Sequence, residues 1–253
     1  MKTLAIYSNK GGVGKTATAV NLSYLAARAG FITLICDLDA QSSTSYYFRV
    51  KPKLKRKARG LAKGGKPIDR SIKGTDFENL DLLPADFSHR SLDIVFNQFK
   101  RPERRLGKVI TPLQSEYDLV VFDCPPSINV LAENIFTAAD FILVPLIPTT
   151  LSERTHKQLL GFLKKSGYNL DKVYSFISME DRRKKLHREL SVSLRTEFEQ
   201  TLHNAIPYSA DVEKMGIERQ PVVVFAPRSK AAASYQHLWT EVRQELLNGK
   251  RGG

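Results

Sequence analysis

Apolar positions along this chain fall into two alternating kinds of run. Short stretches of four to six residues, rich in Val, Ile, Leu and Phe, separate longer stretches in which apolar residues recur at helical spacing. That alternation is the sequence form of stacked βαβ units around a mostly parallel sheet. The pattern predicts strands over 4–8, 33–37, 80–83, 119–124, 141–146, 173–177 and 222–225. It predicts helices over 15–29, 88–99, 103–114, 129–137, 152–166, 184–200 and 230–247. Gly30 supplies a stop for the first helix, and Ser152 ahead of Glu153 reads as a helix cap. Strands recur from end to end with no Pro/Gly/Ser-rich linker, so residues 1–253 are read as a single α/β domain of three layers, a mostly parallel twisted sheet with helices on both faces.

Composition narrows the class. With 42% hydrophobic and 26% charged residues the chain can build a packed core, which excludes a disordered, collagen-like or disulfide-stapled protein. The longest apolar run, 141–148, is strand-sized and holds two prolines, well short of the roughly 18 residues a membrane span requires. The apolar start of the chain is too short for a secretory signal, so a soluble protein is expected. Cys36 and Cys124 both lie inside apolar runs and read as reduced, buried side chains of a cytosolic protein.

Charge is the unusual property: 39 Lys+Arg against 26 Asp+Glu leave +13, which points to a polyanionic partner, nucleic acid or an anionic membrane. Much of the excess is local. Residues 49–73 hold eleven basic side chains and one acid, Asp69, with few large apolar groups, and at least the first half is predicted to be an exposed or mobile loop.

The candidate chemistry begins at Lys10-Gly11-Gly12-Val13-Gly14-Lys15-Thr16, directly after the first strand and before the first helix. This departs from the usual phosphate-loop spacing only at Asn9, where the first glycine would stand. Glycines let backbone N–H groups turn around phosphate oxygens, and the following helix directs its positive end at them, so residues 11–17, Ala17 included, form the expected phosphate cradle. Lys15 would neutralise the β- and γ-phosphates of ATP and the Thr16 hydroxyl would ligate Mg²⁺. Asp37 and Asp39 end the second strand and face the same way, towards the place where an α/β sheet binds ligands. Asp123 ends an apolar strand, where it would hold Mg²⁺ through water.

Lys10 adds a second lysine that an ordinary phosphate loop does not need. With it, the segment resembles the deviant Walker A family of P-loop ATPases and, within it, the ParA partition group. Asp37-Leu38-Asp39-Ala40-Gln41 is similar to that family's D-x-D-P-Q segment, with Ala40 in place of proline, and Asp123-Cys124-Pro125-Pro126, Thr137-Ala138-Ala139-Asp140 and the stretch from Pro145 to Ser152 also follow its pattern. The resemblance covers residues 1 to about 160 and then thins. It implies a P-loop NTPase fold and an ATP-sandwich homodimer in which Lys10 reaches the partner's ATP. It also implies that Asp39 positions the attacking water, that Asp37 lies near the Mg²⁺ shell, and that Pro207 belongs to the segment cupping adenine. Ala17 departs from a second threonine common in relatives, and the basic 49–59 stretch from a less charged connection.

Further implied are slow ATP hydrolysis, an adaptor of the ParB type, non-specific DNA binding and a cytoplasmic, nucleoid-associated protein that segregates or positions a plasmid, a chromosome origin or a protein assembly. Three basic patches compete for the DNA. The first holds Lys51, Lys53, Lys55, Arg56 and Lys57; the second Arg182, Arg183, Lys184, Lys185, Arg188 and Arg195; the third Arg228 and Lys230, with Arg243. Lys184, Arg188 and Arg195 are expected on one broad helical face. A MinD-like membrane role is the alternative, but Glu241 and Glu245 interrupt the apolar stripe of the last helix, which suits core packing better and makes a membrane partner unlikely. A metabolic ATP-dependent ligase or iron–sulfur reductase on the same scaffold is a further alternative, for which no substrate motif or cysteine loop stands in the sequence. A non-hydrolysing DNA scaffold is disfavoured by the presence of Lys15, Thr16, Asp39 and Asp123.

Overall fold

The computed structural model describes residues 1–51 and 57–248. Its strands are β1 (Lys2–Ile6), β2 (Thr33–Asp37), β3 (Lys73–Gly74), β4 (Leu80–Leu83), β5 (Leu119–Asp123), β6 (Phe141–Leu146), β7 (Val173–Glu180) and β8 (Thr201–Pro207). They form one sheet in the order β3-β4-β2-β5-β1-β6-β7-β8, in which only the β3–β4 pairing is antiparallel. The helices of the first half are α1 (Lys15–Arg28), α2 (Ser43–Tyr47), α3 (Lys57–Lys63), α4 (Lys66–Asp69), α5 (Leu92–Asn97) and α6 (Arg105–Ile110). Those of the second half are α7 (Val130–Ala138), α8 (Thr150–Lys165), α9 (Lys185–Glu197), α10 (Ala210–Glu218), α11 (Val222–Phe225) and α12 (Lys230–Asn248).

Successive residues of a strand point to opposite faces of the sheet, and here both faces are covered. Leu4, Ile6, Ile35 and Val121 pack with α1, α10, α11 and α12, while Ala5, Tyr7, Leu34, Cys36, Val120 and Phe122 pack with α3 and α5 to α9. That double burial is why the central strands read as nearly continuous apolar runs. Cys36 and Cys124 are free and buried. Gly30 follows α1 with φ +92, the left-handed turn that ends a helix.

The structure departs from the pattern in several places. Residues 222–225, expected as a strand, form α11: Pro221 precedes it, and the Val223 N–H is taken by the Asn21 side chain of α1 at 3.3 Å. The eighth strand is instead 201–207, an edge strand only partly buried, and α2 and α10 lie where no element is expected. The helices expected over 88–99 and 103–114 are shortened by 3₁₀ turns, two of which carry Pro102 and Pro112 in their first turn. Helix α8 starts at Thr150, and its cap is Thr149, whose hydroxyl accepts from the Ser152 N–H, so Ser152 is not the cap.

The basic segment departs furthest from the expected loop. From Lys57 to Asp69 it forms α3 and α4, and Ala58, Leu61, Ala62 and Ile68 are buried in the core. The Arg105 guanidinium donates to the Ala62 and Lys63 carbonyls, a cation placed at the end of α3. Lys53, Lys55 and Arg56 lie outside the described residues.

No helix among the described residues is long and apolar enough to cross a membrane. In α12, Leu238, Trp239 and Val242 are buried against the sheet. The two acids that interrupt its stripe are used: Glu241 accepts from the His203 and Asn204 N–H groups of β8 at 2.7 and 2.8 Å, and Glu245 from the Tyr174 hydroxyl at 2.9 Å. A further tie closes α7. Lys172 donates to the Phe136 and Ala139 carbonyls at 2.6 and 2.9 Å, a half-buried ammonium at the negative end of the helix. Lys172→Met is expected to cost about 2 kcal/mol, read as a lower urea midpoint; an unchanged midpoint would remove Lys172 from the fold's supports.

Candidate active site

The sheet order places β1 between β5 and β6, and the chain leaves β1 towards β2 on one side and β5 towards β6 on the other. Such a switch point leaves a crevice at the carboxyl ends of the strands. Residues 7–14 fill it as the turn between β1 and α1. Gly12 and Gly14 adopt φ +70 and +89, a left-handed backbone that favours glycine, and a Cβ at Gly14 would also press on Ser178 Oγ at 3.1 Å. The same Ser178 hydroxyl donates to the Val13 carbonyl at 2.9 Å and ties the loop to the end of β7. Gly11 and Gly12 are exposed, Val13 is buried, and Thr16 and Ala17 are half-buried.

Lys15 is folded back under this loop. It is only 7% exposed, and its ammonium donates to the Lys10 carbonyl at 2.8 Å. Burial holds its pKa below the usual lysine value, against the opposing pull of Asp123, Cys124 and Asp39. An ammonium carries three donors, so a buried lysine with a single carbonyl partner retains capacity for anionic oxygens.

Asp37 and Asp123 sit opposite one another in the β2–β5 register, both buried. Burial pushes both carboxyls up, and the Asp123 charge adds to the effect on Asp37. The first turn of α2 answers this pair. Thr44 Oγ1 donates to Asp123 Oδ2 at 2.7 Å, while Ser45 donates to Asp37 Oδ2 from its N–H at 3.0 Å and its hydroxyl at 2.8 Å. The Asp39 N–H donates to Asp37 Oδ1 at 3.2 Å. Asp39 itself is half-exposed and accepts from the Gln41 N–H at 2.9 Å. Asp123 Oδ1 is buried without a hydrogen-bond partner. A buried carboxylate oxygen without a donor, beside a threonine hydroxyl and a buried lysine, is a donor set suited to a hard divalent cation and phosphate oxygens.

Lys10, Lys15, Thr16, Asp37, Asp39 and Asp123 thus gather at the carboxyl ends of β1, β2 and β5. Lys10 is half-buried and its ammonium donates to Ser152 Oγ of the same chain at 3.3 Å. Pro207 ends the edge strand β8, opposite Glu180 of β7, and so stands on the far side of β7 from the loop. Met179, in a left-handed conformation at φ +54, lies between them, with its Cε 3.6 Å from where a Gly14 Cβ would be.

The basic candidates differ in what they already hold. Arg182 and Arg183 pair with Glu180 and Asp181 at 2.8 and 2.9 Å, and Lys185 lies 3.6 Å from Glu189. Arg188 donates to the Arg182 and Arg183 carbonyls; Arg195 is half-buried and donates to the Ser191 and His203 carbonyls. Lys184 precedes α9 with extended backbone and therefore does not share a helical face with Arg188 and Arg195. Lys51, Arg228 and Lys230 are exposed, and Lys57 opens α3.

Thr44 and Ser45 were not among the residues expected from the sequence. The signal for them is the hydroxyl run Ser42-Ser43-Thr44-Ser45 immediately after the second acid.

Residues 1–174 match the AAA domain family. The chain is similar to the chromosome-partitioning ATPase Soj of Treponema pallidum, 30% identical over 253 residues, with 95% of this chain and 96% of that one covered. It is similar to the chromosome partitioning protein ParA of Caulobacter vibrioides at 29% identity over 250 residues, covering 96% and 94% of the two chains. The crystal structure of cobyrinic acid a,c-diamide synthase from Mycobacterium smegmatis with bound ADP and magnesium superposes with a TM-score of 0.83 at 24% identity, over 99% of this chain and 97% of that one, and shares the fold. A full-length match to partition ATPases, on a P-loop sheet with two lysines and two buried acids at its switch point, means that the chain belongs to the ParA/Soj-type family of P-loop ATPases.

Proposed function

We propose that this protein is a magnesium-dependent ATPase that closes into a dimer around ATP, binds DNA without sequence preference in that state, and uses slow hydrolysis to segregate or position a cargo through an adaptor of the ParB type. The observation that carries the reading is the buried, under-partnered Lys15 ammonium beside the orphaned Asp123 oxygen. Lys15 and the backbone N–H groups of residues 11–17 bind the β- and γ-phosphates, and Asp39, half-exposed at the rim, orients the attacking water. Thr16 and Asp123 would hold the magnesium ion, whose charge offsets that of the phosphates; Asp37, with both oxygens already occupied, supports α2 next to them. Pro207 is assigned to the adenine side of the site.

Lys10 is the dimer's contribution. Its contact with Ser152 is a single long hydrogen bond at 3.3 Å, which costs little to exchange for a phosphate on a second copy. For DNA, the exposed Lys184, Arg228 and Lys230, which form no close ion pair among the described residues, support phosphate contacts better than Arg182 or Arg183, whose charges are matched within two residues. A nucleoid-associated protein in the cytoplasm follows from that binding.

Size-exclusion and DNA-binding measurements with ATP, ADP and no nucleotide test the reading. Wild type is expected to dimerise and bind DNA only with ATP, and Lys10→Ala to stay monomeric. Removing the charges of Lys184, Arg228 and Lys230 together is expected to flatten the salt dependence of log K by up to about 2.7, roughly 0.9 per lost phosphate contact. Wild type that stays monomeric with ATP, or Lys10→Ala that dimerises and turns over normally, would sink the sandwich dimer.

A further inference from the structure

Four carboxylate oxygens lie buried side by side at the ends of β2 and β5, and three of them carry donors. Both oxygens of Asp37 are taken by Asp39 and Ser45, and Asp123 Oδ2 by the Thr44 hydroxyl at 2.7 Å. Only Asp123 Oδ1 lacks a well-formed hydrogen bond, with the Thr16 hydroxyl near enough to draw the pKa of this carboxyl down alongside Thr44. A carboxylate rotates about its last torsion in a broad, nearly two-fold well, so nothing in the aspartate itself distinguishes one oxygen from the other. We infer that Thr44 is a positioning residue: its hydroxyl locks the Asp123 carboxylate so that Oδ1 is the oxygen presented to the magnesium of a bound nucleotide. The inference rests on the ATPase reading and adds to it a residue outside the phosphate loop and the strand-ending acids.

The lock requires that Thr44 itself be held. Helix α2 spans five residues, far too few to be stable alone, and Ser42 before it is left-handed at φ 55 with no side-chain cap. Tertiary contacts fix it instead. Ser42 Oγ donates to the Ala85 carbonyl at 3.0 Å, Ser45 Oγ accepts from the Ala85 N–H at 3.2 Å, and Ser45 also grips Asp37. At the other end the Arg219 guanidinium lies 4.5 Å from the Tyr46 ring centre, and its Nε donates to the Tyr46 carbonyl at 3.1 Å. Thr44 is therefore placed by contacts on both sides, none of which involves the nucleotide, and partners of this kind commonly govern the affinity of the metal ligand they orient.

The test is binding of a fluorescent ATP analogue as a function of magnesium concentration, and again in EDTA, for wild type, Thr44→Val and Thr44→Ser. Thr44→Val is expected to raise the magnesium concentration at half-saturation about ten- to hundredfold while leaving affinity in EDTA within about twofold, and Thr44→Ser to restore the wild-type half-point. A half-point for Thr44→Val equal to that of wild type, or equal losses with and without magnesium, would overturn the assignment. Should Thr44→Val fail to give a cooperative melt, Thr44→Ala removes the same hydroxyl with less crowding and is judged by the same criteria. Wild-type binding that is indifferent to magnesium would overturn the ATPase reading and this assignment with it, an outcome distinguishable because it needs no variant.

Discussion

Lys15→Ala is expected to lower ATP turnover by a factor of about a hundred to a thousand, the loss typical of removing one preorganised charge-stabilising group from an enclosed site. The preorganisation is visible in the fold. Lys15 is buried beneath its own loop, tethered to the Lys10 carbonyl, and kept close to Asp123 and Asp39, so little reorganisation accompanies the arrival of a phosphate. Burial also makes the position exacting. A guanidinium at Lys15 is bulkier and planar, with a fixed fork of donors, and Lys15→Arg is expected to fall with the alanine variant. Phosphate release under saturating ATP decides the matter: turnover of Lys15→Ala within tenfold of wild type would show that this ammonium does not serve the γ-phosphate.

The second large effect concerns stability. Asn134 of α7 is fully buried and joins three backbone groups, accepting from the Leu106 N–H at 2.8 Å and donating to the Pro102 and Val130 carbonyls at 2.7 and 2.8 Å. The Leu106 N–H is one of the donors at the start of α6 that no helical partner can satisfy. Asn134→Ala leaves that N–H buried and unpaired, while the Pro102 carbonyl keeps only the Arg105 N–H; the loss of all three bonds is expected to cost about 3 kcal/mol, which for a chain of this size lowers Tm by roughly 10 °C. Calorimetry or a circular-dichroism melt reads it directly. A fall of only a degree or two would mean that water or a neighbouring group replaces the asparagine.

The contrast between these residues explains what can be read from the chain alone. Lys15 and Thr16 belong to one contiguous turn, and Asp123 ends an apolar run, so their neighbourhood is written in consecutive residues. Thr44 is different. Its partner lies 79 residues away and becomes its neighbour only through the β2–β5 register. The same limit governs 222–225, where four apolar residues suit a strand or one helical turn equally. What separates the two is Pro221 and a bond to Asn21, 202 residues earlier in the chain. In 57–69 the apolar set Ala58, Leu61 and Ala62 has helical spacing, but the density of Lys and Arg around it reads as a solvated loop. Strand β8 is weakly marked in the sequence because an edge strand needs little apolar surface, and His203 is exposed.

That edge has a consequence for assembly. An outermost strand with free N–H groups is a template on which another chain can add a strand of its own. On β8 the Glu241 carboxylate occupies the N–H groups of His203 and Asn204, placing a fixed negative charge where an incoming backbone would have to bring its carbonyl oxygens. The sheet is thereby closed to lateral growth along that stretch of β8. An incoming strand therefore finds neither of those two N–H groups free to pair with.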